Sequence, residues 1–234
     1  LSKLNIVSPA TAGDFLLRNR QIAGLCAASL IDVGVQNISI GGRNVELATL
    51  VNACNLLGKL QKEERSRVTR ILSSSGIEHC YLKGAASAAL AYRVGERLLG
   101  DLDIAVQPQQ IYQARSALEG SGYYTCGWIK SSRKYVLLSR DEATRQEQGH
   151  YQLAMLVRRR VVPELAGDVL SVLAEPIAYF DPMIQYYPGN REAVFSIEID
   201  LHHSITPTIG LGDIVHDAHE IGCDGTKFRV SSPG

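Results

Sequence analysis

GDLDIAV, residues 100–106, is a short apolar run that carries two aspartates. Side chains of an extended chain alternate between two faces, so Asp101 and Asp103 share one face and Leu102, Ile104 and Val106 the other. The run predicts a β-strand whose apolar face meets a core. Its acidic face needs a separate explanation. Neighbouring carboxylates drive each other toward protonation unless a cation lies between them, and a buried ionised carboxylate is costly without a partner.

A second strand offers a partner for the first. In AVFSIEIDLHH, residues 193–203, Phe195, Ile197, Ile199 and Leu201 face one way, while Ser196, Glu198, Asp200 and His202 face the other. If this strand lies beside the first, Asp200 or Glu198 completes a cluster of three carboxylates. Such a cluster suits a hard divalent ion such as Mg2+, and two such ions would serve an in-line displacement at phosphorus. Upstream, Lys83-Gly84 stands where a strand ends and a helix begins. Glycine there lets backbone approach a ligand closely, the free amides of a helix start suit phosphate oxygens, and Lys83 adds positive charge. Arg97, in the loop before the aspartates, is a candidate second phosphate clamp.

The surrounding chain sets the fold class. Residues 1–75 read as a helical region: GDFLLRNRQIAGLCAASLI (13–31) is densely apolar at helical spacing, and Leu47, Leu50, Val51, Cys54 and Leu57 form an amphipathic stripe. A second, charged helix, KEERSRVTRIL (62–72), ends at SSSG, where Gly76 is a natural terminator. Residues 76–234 read as the catalytic domain. IEHCYL is a strand, GAASAALAY a helix, RVGERLLG a loop and DLDIAV a strand; Pro108 opens a helix with Ile111, Ala114 and Leu118 on one face. The strands YYTCGWI, KYVLLS, YQLAMLV and AVFSIEIDLHH follow. The class is α+β, a mixed β-sheet core flanked by helices.

Composition narrows the function classes. Basic and acidic residues balance at 24 each, so no general pull toward nucleic acid or an anionic membrane is expected. No stretch approaches the roughly 18 apolar residues of a membrane span. No signal peptide is visible, and five scattered cysteines without a C-x-x-C pair point to buried thiols in a reducing cytoplasm.

The motifs LKGAA, GDLDIAV, GHYQLAML and IEIDLHHSI, in that order over about residues 65–234, resemble the DNA polymerase β-like nucleotidyltransferase superfamily. Within it they are similar to the bacterial family of uncharacterised nucleotidyltransferases. Lys83, Gly84, Arg97, Asp101, Asp103, His150, Asp200 and His202 fall on that family's pattern. The resemblance implies an NTP donor (ATP by default), two Mg2+ ions with Mn2+ as a substitute, nucleotidyl transfer to an unidentified acceptor, and release of pyrophosphate. It also implies further C-terminal helices, which this chain lacks. The superfamily usually has Gly-Ser or Gly-Gly at the phosphate turn, where this chain has Gly84-Ala85, so Lys83 and backbone amides, that of Ala85 included, would hold phosphate.

In the expected chemistry Asp101 and Asp103 hold both ions, while Asp200 binds one of them and takes the acceptor's proton, with Glu198 as its substitute. Two rival readings use the same residues: a non-catalytic nucleotide- or partner-binding member of the fold, and a metal-dependent phosphohydrolase. His203, Trp128, Tyr123 and Tyr124 read as packing, HDAHE (216–220) as a polar helix, and Arg158-Arg159-Arg160 as a solvated hairpin tip.

Overall fold

The computed structural model describes residues 20–40, 43–132, 134–163, 184–187, 192–206, 209–223 and 226–231. Residues 13–19 of the first expected helix lie outside them. The chain forms two compact units, one of Leu1–Gln61, Tyr92–Leu98 and Val161–Val194, the other of Lys62–Ala91, Leu99–Arg160 and Phe195–Gly234.

In the first unit a 3-10 turn, Arg20–Ile22, leads into helix α1, Ala23–Asp32. Strands β1 (Asn37–Ile40) and β2 (Arg43–Glu46) then pair antiparallel, with Ile38 opposite Val45. The helical reading of this region holds for α1 and for the helix Leu47–Ser74, and the hairpin is an addition to it. Asn37-Ile38-Ser39-Ile40 alternates with period two and buries both isoleucines, so here the strand pattern outweighs its helical surroundings. The loop Tyr92–Leu98 belongs to this unit. A Cβ on Gly24 would fall 1.9 Å from the Gly95 carbonyl oxygen, and one on Gly58 would fall 2.4 Å from the Gly95 nitrogen. The Leu98 amide donates to the Gln21 carbonyl at 2.6 Å, fixing the loop's end. Strand β8, Ile184–Tyr187, follows in this unit.

Helix α2, Leu47–Ser74, is one continuous 28-residue element where the sequence suggests two. Gly58 would ordinarily weaken its middle by about 1 kcal/mol, but this glycine is the contact point for Gly95 and side chains are excluded there. The helix ends as the sequence predicts. Gly76 takes φ +68°, its amide donates to the Ser73 carbonyl and the Ile77 amide to that of Leu72, which is a Schellman closure.

The second unit is built on a mixed sheet, as the α+β reading requires. Its elements are β3 (His79–Tyr81), α3 (Lys83–Ala91), β4 (Asp101–Val106), α4 (Ile111–Glu119), β5 (Tyr124–Ile129), β6 (Lys134–Leu137), α5 (Arg140–Glu147), β7 (Leu156–Val161), β9 (Glu192–His202), β10 (Ser204–Thr206), β11 (Ile209–Gly210), α6 (Gly212–His216), β12 (His219–Cys223) and β13 (Thr226–Val230). Eight strands run in the order β12-β13-β3-β4-β9-β7-β5-β6. Leu102, Ile104, Val106, Ile197, Ile199 and Leu201 are buried, so the apolar files of β4 and β9 do face a core. Helix α4 buries Ile111, Ala114 and Leu118, the face its spacing predicts.

Three elements depart from the sequence reading. Helix α5 was not expected, yet Ser139 caps it in a reciprocal box with Glu142, the S-x-x-E signature of a helix start. Strand β7 begins at Leu156, so Arg158-Arg159-Arg160 lie within it and are no hairpin tip. Arg158 pairs with buried Glu64 at 2.6 Å and Arg160 with Glu63 at 2.8 Å. HDAHE divides between the end of α6 and the start of β12. Cys26, Cys54, Cys80 and Cys126 are free thiols, and burial pushes those of Cys54 and Cys80 up to about 12 and about 11.

Candidate functional site

Strands β4 and β9 are parallel neighbours, Asp101 opposite Glu198, Asp103 opposite Asp200, and Ala105 opposite His202. Residues paired across a sheet present side chains to the same face, so one acidic face collects four carboxylates and an imidazole. The small Ala105 leaves room beside His202, and both are buried.

Asp103 and His202 are the most enclosed, at 4% and 2% exposure. The Asp103 Oδ1 accepts from His202 Nε2 at 2.7 Å and from Lys83 Nζ at 2.6 Å. Two further donors reach the other carboxylates: Gln152 Nε2 to Asp200 Oδ2 at 3.1 Å, and the Tyr135 hydroxyl to Glu198 Oε1 at 2.8 Å. Tyr151 stacks on His202 with ring centres 5.6 Å apart, holding the imidazole against rotation.

Charge in this face is only partly balanced. Burial pushes the Asp101 and Asp200 carboxyls above their ordinary range, and adjacent carboxylate charge adds to it, that of Asp103 on Asp101 and that of Asp101 on Asp200. Burial raises Glu198 as well. Asp103 goes the other way: burial opposes ionisation, but the hydrogen bonds from His202 and Lys83 outweigh it and lower the pKa. One ammonium and one imidazole therefore serve a single carboxylate, and the rest still repel. Ligand atoms of Asp103, Asp200 and His202 lie within 4.8 Å of one another, a spacing that fits a metal ion. Asp101 is not in that triplet. Two carboxylates with an imidazole suit Mg2+ or Mn2+ through oxygen and a transition ion through nitrogen.

The other expected residues have these places. Lys83 opens α3, and it, rather than Gly84, is the left-handed residue of the turn, at φ +45°. The Leu82 amide just ahead of it donates to the Asp103 backbone carbonyl at 3.0 Å, tying the turn to β4. Gly84 and buried Ala85 lie within the first turn, and Ala86 donates to the Leu82 carbonyl, so the amides ahead of it have no partner inside the helix. The Ala85 carbonyl accepts from Arg65 at 3.4 Å. Arg97 belongs to the other compact unit, its guanidinium 5.5 Å from the Tyr92 ring centre. His150 is exposed, and lines a cavity of about 410 Å³ with Gln152 and Trp128. His203 is half-buried, its amide donating to the Tyr151 carbonyl. Tyr135, Tyr151 and Gln152 were not singled out from the sequence; their types are common, and only the register of distant strands brings them here.

A larger cavity, about 640 Å³, opens beside the triplet and is lined by Lys83, Tyr151, His202, Ser204, Asp213 and Ile214 among others. Among the described residues no helix is long and apolar enough to cross a membrane.

A search of curated proteins finds no match. A family profile described as "Uncharacterised nucleotidyltransferase" matches residues 15–233, nearly the whole chain, including both acidic strands and the Lys83 turn. By that match the chain belongs to this nucleotidyltransferase family.

Proposed function

We propose that the protein transfers a nucleotidyl group from an NTP, ATP by default, to a hydroxyl-bearing acceptor, and that it does so in the cytoplasm. The single observation that carries this reading is the β4–β9 register, which stacks Asp103 against Asp200 with His202 beside them and a 640 Å³ cavity alongside. Asp103 and Asp200, helped by Asp101 or His202, would hold divalent metal, two Mg2+ ions in the full form of the proposal. Bound metal would neutralise phosphate charge and lower the pKa of the acceptor hydroxyl.

The chain's own groups supply the rest. Lys83 stands at the cavity wall with a side chain 60% exposed, and once bound metal displaces it from Asp103 it can meet a phosphate oxygen. The amides at the start of α3, which have no partner inside the helix, suit phosphate oxygens as well. The acceptor oxygen attacks the α-phosphorus, the bond from that phosphorus to the β-bridging oxygen breaks, and pyrophosphate leaves. Asp200 takes the acceptor's proton, and Gln152 holds its Oδ2 in place. His202 and Tyr151 keep Asp103 oriented. Positioning and charge cancellation provide most of such catalysis.

Calorimetric titration of Mg2+ and NTPs into wild type, Asp103→Asn and Asp200→Asn tests the reading. Binding by wild type and loss in both variants is expected, and equal binding by all three would refute it. One observation favours a second reading, a nucleotide-binding protein without transfer: Lys83 already occupies the oxygen of Asp103 that a metal would use. Pyrophosphate release separates the two.

A further inference from the structure

The 410 Å³ cavity shares no lining residue with the 640 Å³ one, yet its wall is hydrogen-bonded to the same acidic face. Gln152 is in its wall and donates to Asp200. Trp128 is in its wall and packs on Tyr135 at 4.8 Å, and Tyr135 donates to Glu198. The larger cavity instead meets the face at Lys83 and His202. The larger space thus meets the row His202, Asp200, Glu198 at His202 itself, while the wall of the smaller is linked to Asp200 through Gln152 and to Glu198 through Trp128 and Tyr135.

We infer that the smaller cavity is the acceptor site and that it takes a neutral ring bearing neighbouring hydroxyls, such as a sugar or the ribose of a nucleoside. The inference rests on the transfer reading above and names its acceptor class. Three features of the wall carry it. Among the described residues no Asp, Glu, Lys or Arg lines the cavity, so a charged acceptor would lose water with no counter-charge from this wall in return. Trp128, half-buried, offers an indole face to the apolar side of a ring. Gln146, His150 and Gln152 offer donors and acceptors in pairs, the chemistry that meets adjacent hydroxyls. A hydroxyl held by Gln152 is then one side chain away from Asp200, the residue proposed to take its proton.

Trp128 is the sole tryptophan, so its emission reports this cavity alone. Full-length protein is titrated with methyl α-glucopyranoside and with uridine, the two neutral sources, and with glucosamine and glucose 6-phosphate as charged counterparts. A shift in emission with a neutral probe, saturating near about 1 mM, is expected, with both charged sugars at least fivefold weaker than the neutral glucoside. Which of the two neutral probes binds tells sugar from nucleoside. His150→Ala, at an exposed position that leaves the core intact, should weaken the neutral probe several-fold. Gln146→Glu, also exposed, should improve glucosamine about threefold, the worth of an exposed ion pair. No shift with either neutral probe up to 50-fold above that concentration, or tighter binding of a charged one, would overturn the assignment. Mg2+–ATP binding measured on the same samples separates the failures: ATP binding without a neutral ligand sinks the acceptor site only, and a neutral ligand without ATP binding sinks the transfer reading only.

Discussion

Lys83→Met should tighten divalent metal binding in the absence of nucleotide. In the structure Lys83 Nζ sits 2.6 Å from the same Asp103 oxygen that His202 holds at 2.7 Å, so both acceptor positions of that oxygen are filled. A metal can use it only after Lys83 has left. A hydrogen bond to a charged group is worth about 1.5–3 kcal/mol, but the Lys83 side chain is 60% exposed, and water screening brings the net to about 1 kcal/mol. Met keeps the length and loses the charge. Metal binding to the variant alone should therefore improve about fivefold. Nucleotide in the presence of metal should bind more weakly by a similar factor, because the ammonium freed by metal is then missing from the cavity wall. Mn2+ titration followed by electron paramagnetic resonance, which counts free ion, gives the first number, and calorimetry gives the second. Equal or weaker Mn2+ binding by Lys83→Met would refute the idea that this lysine holds the metal's place.

Asp101, Glu198 and Asp200 all have pKa values raised on folding, so the stability they confer is present at low pH and lost as pH rises through their folded values. Asp103, lowered, acts in the opposite sense and loses its contribution as pH falls through its own folded value. Asp103 acts only below its ordinary carboxylate range, so metal-free protein should melt higher on the acid side of the three raised values than at neutral pH, and the rise in melting temperature on adding Mg2+ should shrink as pH falls. A scan that shows metal-free stability falling steadily from pH 7 to pH 5 would contradict this. Gly58→Ala should destabilise by about 1–3 kcal/mol in a urea titration, because its Cβ would lie 2.4 Å from backbone nitrogen that cannot yield. Glu64→Ala removes the partner of Arg158 and of the buried Tyr123 hydroxyl, and should cost about 3 kcal/mol by the same assay.

Much of the site was legible because it sits on strands. Alternation put Asp101 with Asp103, and Glu198 with Asp200 and His202, before any pairing was known. It could not say that Asp103 falls opposite Asp200, since register depends on which strands become neighbours. Nor could it find Tyr135 and Gln152, whose hydroxyl and amide matter only through that register. The left-handed Lys83 was hidden because Gly84 beside it is the residue usually assigned such a φ. In the fold, the hairpin of β1 and β2 was lost inside a helix-rich segment, and the unbroken α2 hid behind Gly58, a residue read locally as a weakness. Helix α5 carried a legible cap at Ser139 and Glu142, but its strongly polar sequence showed no apolar stripe to draw notice.

Asp103 and His202 stand 99 positions apart in the chain, joined by a parallel pairing that no hairpin can nucleate. During synthesis the first acidic strand leaves the ribosome long before its neighbour exists, and until β9 docks its two aspartates can stay hydrated and apart. The crowding that favours a cation thus arises only once β9 docks, a step that must first meet the closure entropy of the long loop between the strands. A divalent ion held here as proposed should consequently favour this pairing, and so help complete the central sheet.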